Sequence, residues 1–114
     1  MREILFYKTR TGKCPVEEFL DALTAKQAKK VTWVMTLVET LELVLKQYFK
    51  KLESTDGIWE IRVDFGSDTY RFLGFMHKGS LVILTNAFAK KSQKTPLSEI
   101  DLAEQRRKDH LERG

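Results

Sequence analysis

Seven cationic side chains fall where they could grip a phosphodiester. Two of them come from one hairpin. Trp59, Ile61, Val63 and Phe65 alternate with Glu60, Arg62 and Asp64, the period of two expected of a half-buried strand. Gly66-Ser67 fits a two-residue hairpin loop with glycine first, and the next strand runs from about Thr69 to Met76. Counting back from that loop sets Phe65 opposite Asp68 and Arg62 opposite Arg71, both arginines on the sheet face opposite Trp59, Ile61 and Val63. Like charges directly across a ladder destabilise it, so the fold gains nothing from the pair. A phosphate site does gain, because the guanidinium fork matches phosphate oxygens bidentately. The other reading is structural: Arg62 pairs with Glu60 or Asp64, and Arg71 with Asp68, as ordinary surface ion pairs of little energetic weight.

Lys90, Lys91 and Lys94 form the second group, in a stretch with no acid between Thr85 and Ser98. They follow an apolar strand and precede a helix start, whose free N–H groups and dipole favour anions. The bland reading is a solvated basic loop. Lys50 and Lys51, in a basic connector from Phe49 to Thr55, complete the candidates for phosphate binding. Neither His77, at a turn, nor His110, in a charged tail, stands at ligand spacing from a carboxylate or thiol. No metal motif or glycine-rich phosphate loop is present, so neither a metal nor a cofactor is expected.

The elements that must position these groups can be read in order. Ile4–Tyr7 is a short first strand, followed by a loop turning at Gly12. Pro15 opens a helix through Leu23. Thr24 and Gln27 make a capping box for a helix whose apolar stripe runs through Ala28, Val31, Val34, Met35, Val38, Leu41 and Leu45. After the hairpin and a turn at Lys78-Gly79, Leu81–Phe88 reads as a strand buried on both faces. Thr95 as N-cap and Pro96 in the first turn open a last helix, with a charged tail from Arg106 expected to fray. The order predicts an α+β fold: a mostly antiparallel sheet of about four strands packed against two N-terminal helices on one main face, with a C-terminal helix.

Composition bounds the rest. The 114 residues are expected to form one domain, and the charge of +4, with a pI of about 9.2, leans mildly toward polyanions. The longest apolar run, Leu81–Leu84, is far short of a membrane span, and the start of the chain has no secretory apolar core. A single cysteine, Cys14, forms no internal disulfide and suits a reducing cytoplasm.

Four blocks carry a family resemblance. Gly57-Ile58-Trp59-Glu60-Ile61-Arg62-Val63, Tyr70-Arg71-Phe72, Phe88 to Pro96 and Glu99-Ile100-Asp101-Leu102-Ala103 resemble, in that order, the phage-derived branch of HigB-type toxins in the RelE/ParE superfamily. They cover about half the chain. The Lys-Lys-x-x-Lys-Thr-Pro block is fairly specific to the branch, whereas Gly-x-x-Glu-x-Arg is shared across the superfamily.

The resemblance implies a RelE/ParE-like fold and a toxin silenced by a HigA-like helix-turn-helix antitoxin, with operator DNA met only through that complex. It also implies cleavage of mRNA on the ribosome by metal-free attack of the RNA 2′-hydroxyl. Arg71 would then stabilise charge, and Lys90, Lys91 and Lys94 would contribute catalytic cations; crowding by cationic neighbours lowers a lysine's pKa, which would let such a lysine act as a base, and whether any of the three does is left open. Arg62, Lys50 and Lys51 would hold the RNA backbone. Relatives with a functional Tyr or His near the C-terminus are matched here by His110 alone. On this reading Arg71→Ala abolishes toxicity and leaves folding largely intact. Two competing functions share the composition: a ParE-type toxin that inhibits DNA gyrase without cutting RNA, and a non-enzymatic nucleic-acid-binding module.

Overall fold

The computed structural model describes residues 1–89 and 94–114. A five-stranded sheet runs in the order β1-β5-β4-β3-β2, with β1 Glu3–Phe6, β2 Phe49–Lys51, β3 Ile58–Phe65, β4 Asp68–His77 and β5 Leu81–Ala89. Only the β1–β5 pair is parallel. The hairpin register is as the residue count predicts: Phe65 opposes Asp68 and Arg62 opposes Arg71. Gly66 takes a φ of +60°, which a non-glycine residue adopts only with strain.

Helices α1 (Pro15–Asp21) and α2 (Ala25–Thr40) cover one face, where Val16, Val31, Val34 and Val38 meet Ile61, Val63, Tyr70, Phe72, Val82 and Leu84. The capping box at Thr24 and Gln27 is fully formed. α3 (Leu97–Glu112) lies across the opposite face, packing Ala103 and Ile100 against Ile58 and Leu73. The helices therefore occupy both faces, and not one main face. Leu73 and Ile58 point to the second layer because strand side chains alternate.

Three boundaries differ from the sequence expectation. α2 stops at Thr40 with Leu41 extended at its C-cap, short of Leu45. Arg2 ends it there: its guanidinium donates to the carbonyls of Val38 at 3.0 Å, Leu41 at 2.7 Å and Glu42 at 2.9 Å, a cation on a helix C-terminus. The chain released at Leu41 returns to lay Phe49–Lys51 on the free edge of β3, Lys50 opposite Glu60, so part of the basic connector is a fifth strand. Its ring stack of Phe49 on Trp59, centroids 4.7 Å apart, holds that edge.

The charged tail does not fray. α3 continues to Glu112 because its end is clasped to the segment that follows β1. Tyr7 donates to Asp109 at 2.6 Å, Arg10 at 2.7 Å and Arg113 at 3.0 Å reach the same carboxylate, and Arg113 also bonds the Lys8 carbonyl. The Tyr7 hydroxyl, with help from Arg10 and Arg113, holds the Asp109 carboxyl below its ordinary range. His110 packs against Phe75 and His77, ring centroids 5.7 and 5.8 Å away.

A bulge seats the other half of α3. Leu73 opposes Asn86 while Gly74 opposes Leu84, so Thr85 is the extra residue. Its hydroxyl bonds the Leu73 carbonyl at 3.2 Å, and its own carbonyl accepts from Arg106 of α3 at 2.8 Å. The Asn86 amide reaches the Glu99 carbonyl and side chain. Gly74 permits the close approach: a Cβ there would lie 2.2 Å from the Ile83 carbonyl oxygen.

Two predictions follow from the way α3 is seated. Gly74→Ala should lower unfolding stability in urea by about 3 kcal/mol, the upper end of overpacking costs, since a backbone carbonyl in the ladder cannot step aside. His110 supplies a pH dependence. Burial, then His77 and Arg113, push its imidazole below the ordinary value against a smaller upward pull from Asp109. The folded state then binds fewer protons than the unfolded chain. Its contribution is intact above the unfolded value of about 6.5 and is lost as pH falls through it toward the lower folded value. The urea midpoint should drop between about pH 7.5 and about pH 5.5, and the drop should be smaller in His110→Phe.

Candidate nucleic-acid interface

Where α3 leaves the second face of the sheet uncovered, beside β2, a groove of about 1150 Å³ opens. Lys50 from β2, Arg62 from β3, and Lys94 and Thr95 before α3 all line it. Lys50 and Arg62 share this face because they sit at alternate positions of adjacent strands, Lys50 opposite Glu60 and Arg62 two residues on. Lys46 and Lys51 also reach the groove, so the lining holds six cations (Arg2, Lys46, Lys50, Lys51, Arg62, Lys94) and three carboxylates (Glu42, Glu53, Glu60). Lys51 donates to the Thr55 carbonyl at 2.8 Å, which points its ammonium along the edge. An open groove lined two to one by cations, three of them (Lys50, Lys51 and Arg62) on strands, attracts a polyanion.

Glu60, which lines this groove, belongs to a buried ion pair. Arg71 is 2% and Glu60 1% exposed, and Arg71 Nη1 donates to Glu60 Oε1 at 2.8 Å. The Thr95 hydroxyl joins them, 3.3 Å from Arg71 Nη1 and 3.4 Å from Glu60 Oε1. Glu60 Oε2 is buried with no hydrogen-bond partner among the described residues. Glu60 and Arg71 meet because, with Arg62 opposite Arg71, Glu60 is the diagonal neighbour on the same face. Arg62 turns the other way, to Asp64 at 3.3 Å, with 30% of its side chain exposed. The two opposed arginines thus avoid each other by taking separate carboxylates.

Arg71 pairs with Glu60, not Asp68, and 2% of its side chain is exposed. Of the two sheet arginines, Arg62 is the one that lines the groove. Thr95 is not the N-cap of α3; Pro96 holds that position without a side-chain cap, because the Thr95 hydroxyl is turned inward to the pair. Lys50, Lys51, Arg62 and Lys94 converge on the groove, while Lys90 and Lys91 lie outside the described residues. The sequence reading missed Glu60 and Thr95 as partners of Arg71; the diagonal geometry of the correct register contained the first of these. Among the described residues no group of three or more His, Cys, Asp or Glu is placed to hold a metal ion, and no helix is long and apolar enough to cross a membrane.

A mixed sheet with an N-terminal helix pair on one face, a C-terminal helix on the other and a cationic groove at its edge defines a small basic α+β domain compatible with RelE-like architecture. A family model described as phage-derived protein Gp49-like (DUF891) matches residues 18–108. The chain belongs to that family, one of RelE/HigB-like toxins. No curated protein matches it.

Burial of the pair sets a stability cost for losing either partner. Arg71→Ala strands the Glu60 carboxylate in the interior and should cost about 3–5 kcal/mol in urea unfolding. The double variant Glu60→Leu/Arg71→Met leaves no charge alone and should recover most of that loss. An Arg71→Ala protein as stable as wild type would mean that the pair is solvated in solution.

Proposed function

We propose that this toxin cuts mRNA on the ribosome, with the groove at the β2–β3 edge as its RNA site. The observation that carries the reading is the set of cations lining that groove, with Lys50 and Arg62 on paired strands. The reaction is transesterification: the RNA 2′-oxygen attacks the adjacent phosphorus, the bond to the 5′-oxygen breaks, and the leaving oxygen takes up a proton. The product ends are a 2′,3′-cyclic phosphate and a 5′-hydroxyl. Arg62 stabilises the charge that builds on the phosphorane, since preorganised cations are usually the largest catalytic contribution in such sites. Lys50 and Lys51 hold the flanking backbone. Lys94, with its sequence neighbours Lys90 and Lys91, supplies the candidates for proton transfer.

Arg71 acts one layer back, as a positioning residue. Its pairing with Glu60 and Thr95 ties β3, β4 and the chain just before α3 together, with Arg62 opposite Arg71 in the ladder and Lys94 next to Thr95 in the chain. A partner antitoxin, of the helix-turn-helix kind that the sequence resemblance implies, keeps the toxin silent.

Inducing the chain alone should arrest bacterial growth and produce new mRNA 5′ ends in register with codons. Arg62→Ala should lower the frequency of those ends by about 10²-fold, the usual cost of one preorganised charge-stabilising group, with an unchanged urea midpoint because its pair with Asp64 is at the surface. Transcriptome-wide end mapping after induction checks both. Arrest without new ends would sink the nuclease reading and favour a toxin of the gyrase-inhibiting kind.

A further inference from the structure

Trp33 stands at the surface of α2, 50% exposed, although burying an indole is among the larger apolar gains open to a fold. It shares one stripe of the helix with Lys26, Lys29 and Lys30, at the i, i+3, i+4 and i+7 spacing. These lysines cost the helix stability. Like charges three and four residues apart repel, and Lys26 puts a cation in a first turn that has no acid, where the dipole favours an anion. No acid lies between Asp21 and Glu39, and the Glu39 carboxylate accepts from the Ile4 N–H at 3.0 Å. Among the described residues none of the three lysines is in an ion pair. Lys30 instead lies over the Trp33 ring, its Nζ 5.8 Å from the centroid.

The stripe adjoins the groove. Trp33 meets Tyr48 edge to face, centroids 5.9 Å apart. The Tyr48 carbonyl accepts from the Arg62 N–H at 2.9 Å, and the two residues before Tyr48, Lys46 and Gln47, line the groove. Trp33 is thus one residue contact away from the groove lining, across Tyr48.

We infer that this stripe of α2 is a second contact for single-stranded RNA: an unpaired base of the strand flanking the groove stacks on Trp33, and Lys26, Lys29 and Lys30 hold its phosphates. A cationic track beside an aromatic ring is what single-stranded binding without sequence preference uses. Each nucleotide brings a π-face for the ring and a phosphate for a lysine in one repeating unit. An acidic protein segment brings the charge without an obligatory π-face. The inference rests on the groove being an RNA site only for where the strand comes from; the stacking and the phosphate contacts are properties of α2 itself.

The test uses the full chain labelled with 5-fluorotryptophan. Its two tryptophans give two ¹⁹F resonances, assigned by Trp33→Phe. Trp59 lines the groove and reports it; Trp33 reports α2. A single-stranded RNA of about four nucleotides should shift Trp59 alone, and one of about twelve should shift both. Trp33→Ala should weaken the longer strand by about tenfold, the worth of one stacked base, and the loss should be absent with the shorter one. Trp33→Phe should keep most of the affinity. The salt dependence separates ring from charge: Lys26→Gln and Lys29→Gln should each lower the slope against log salt by about 0.7, and Trp33→Ala should not change it. A duplex of the longer length, its bases already paired, should leave the Trp33 resonance in place, as should polyglutamate. A Trp33 resonance that stays put with the longer strand while Trp59 shifts would overturn the inference and leave the groove standing. So would wild-type affinity of Trp33→Ala for the longer strand, or an equal Trp33 shift from duplex RNA or polyglutamate, the mark of a surface that reads charge alone. A Trp33 resonance that shifts while Trp59 stays in place would support the α2 contact and overturn the groove as the RNA site.

Discussion

An arginine and a glutamate enclosed in the sheet cannot be left half-made. Once Arg71 and Glu60 are both nearly inaccessible, each depends on the other to offset its lost hydration, because removing one partner of such a pair costs several kcal/mol. The pair fixes β3 against β4 on the face that α3 covers. Through the Thr95 hydroxyl it also fixes the chain just before α3. The groove above inherits its shape from this arrangement, since Arg62 is the cross-strand neighbour of Arg71 and Lys94 precedes Thr95.

The second constraint is the edge. β3 would end the sheet with unpaired N–H and C=O groups were it not for β2, three residues long and carrying two lysines. Short, charged edge strands resist pairing with other chains. The same shortness leaves room beside α3 for a groove open to a ligand. Arg2 sets this up from a distance by ending α2 at Thr40, so that the chain can turn back along β3 in time. The groove thus depends on a helix C-terminus on the far face of the sheet.

The opposite end of the molecule has a different task. Tyr7, Arg10, Asp109 and Arg113 clasp the last turns of α3 to the segment that follows β1, and His77 and His110 pack around Phe75 beside them. These groups lie at the other end of α3 from the groove. The single histidine that the C-terminal resemblance offered for chemistry is here part of the packing that keeps the helix in place.

The hairpin was fully legible in the sequence, because a period-two pattern closed by Gly66-Ser67 leaves one register, and that register sets Arg62 opposite Arg71. The capping box at Thr24 was equally local: two side chains three residues apart satisfy each other's backbone. What the sequence could not decide were partners chosen across the fold. Arg71 had Asp68 near it in the chain, yet took Glu60 diagonally across the ladder, where both could be buried together. Thr95 looked like a cap, yet a hydroxyl next to a buried ion pair gains more by joining it. The α2 stripe ran on to Leu45, but Arg2, 39 residues away from Leu41 in the chain, closed the helix early. Periodicity and turn chemistry act within a few residues and can be read from them. Which charge is buried, and against what, depends on desolvation, and only the tertiary structure sets that.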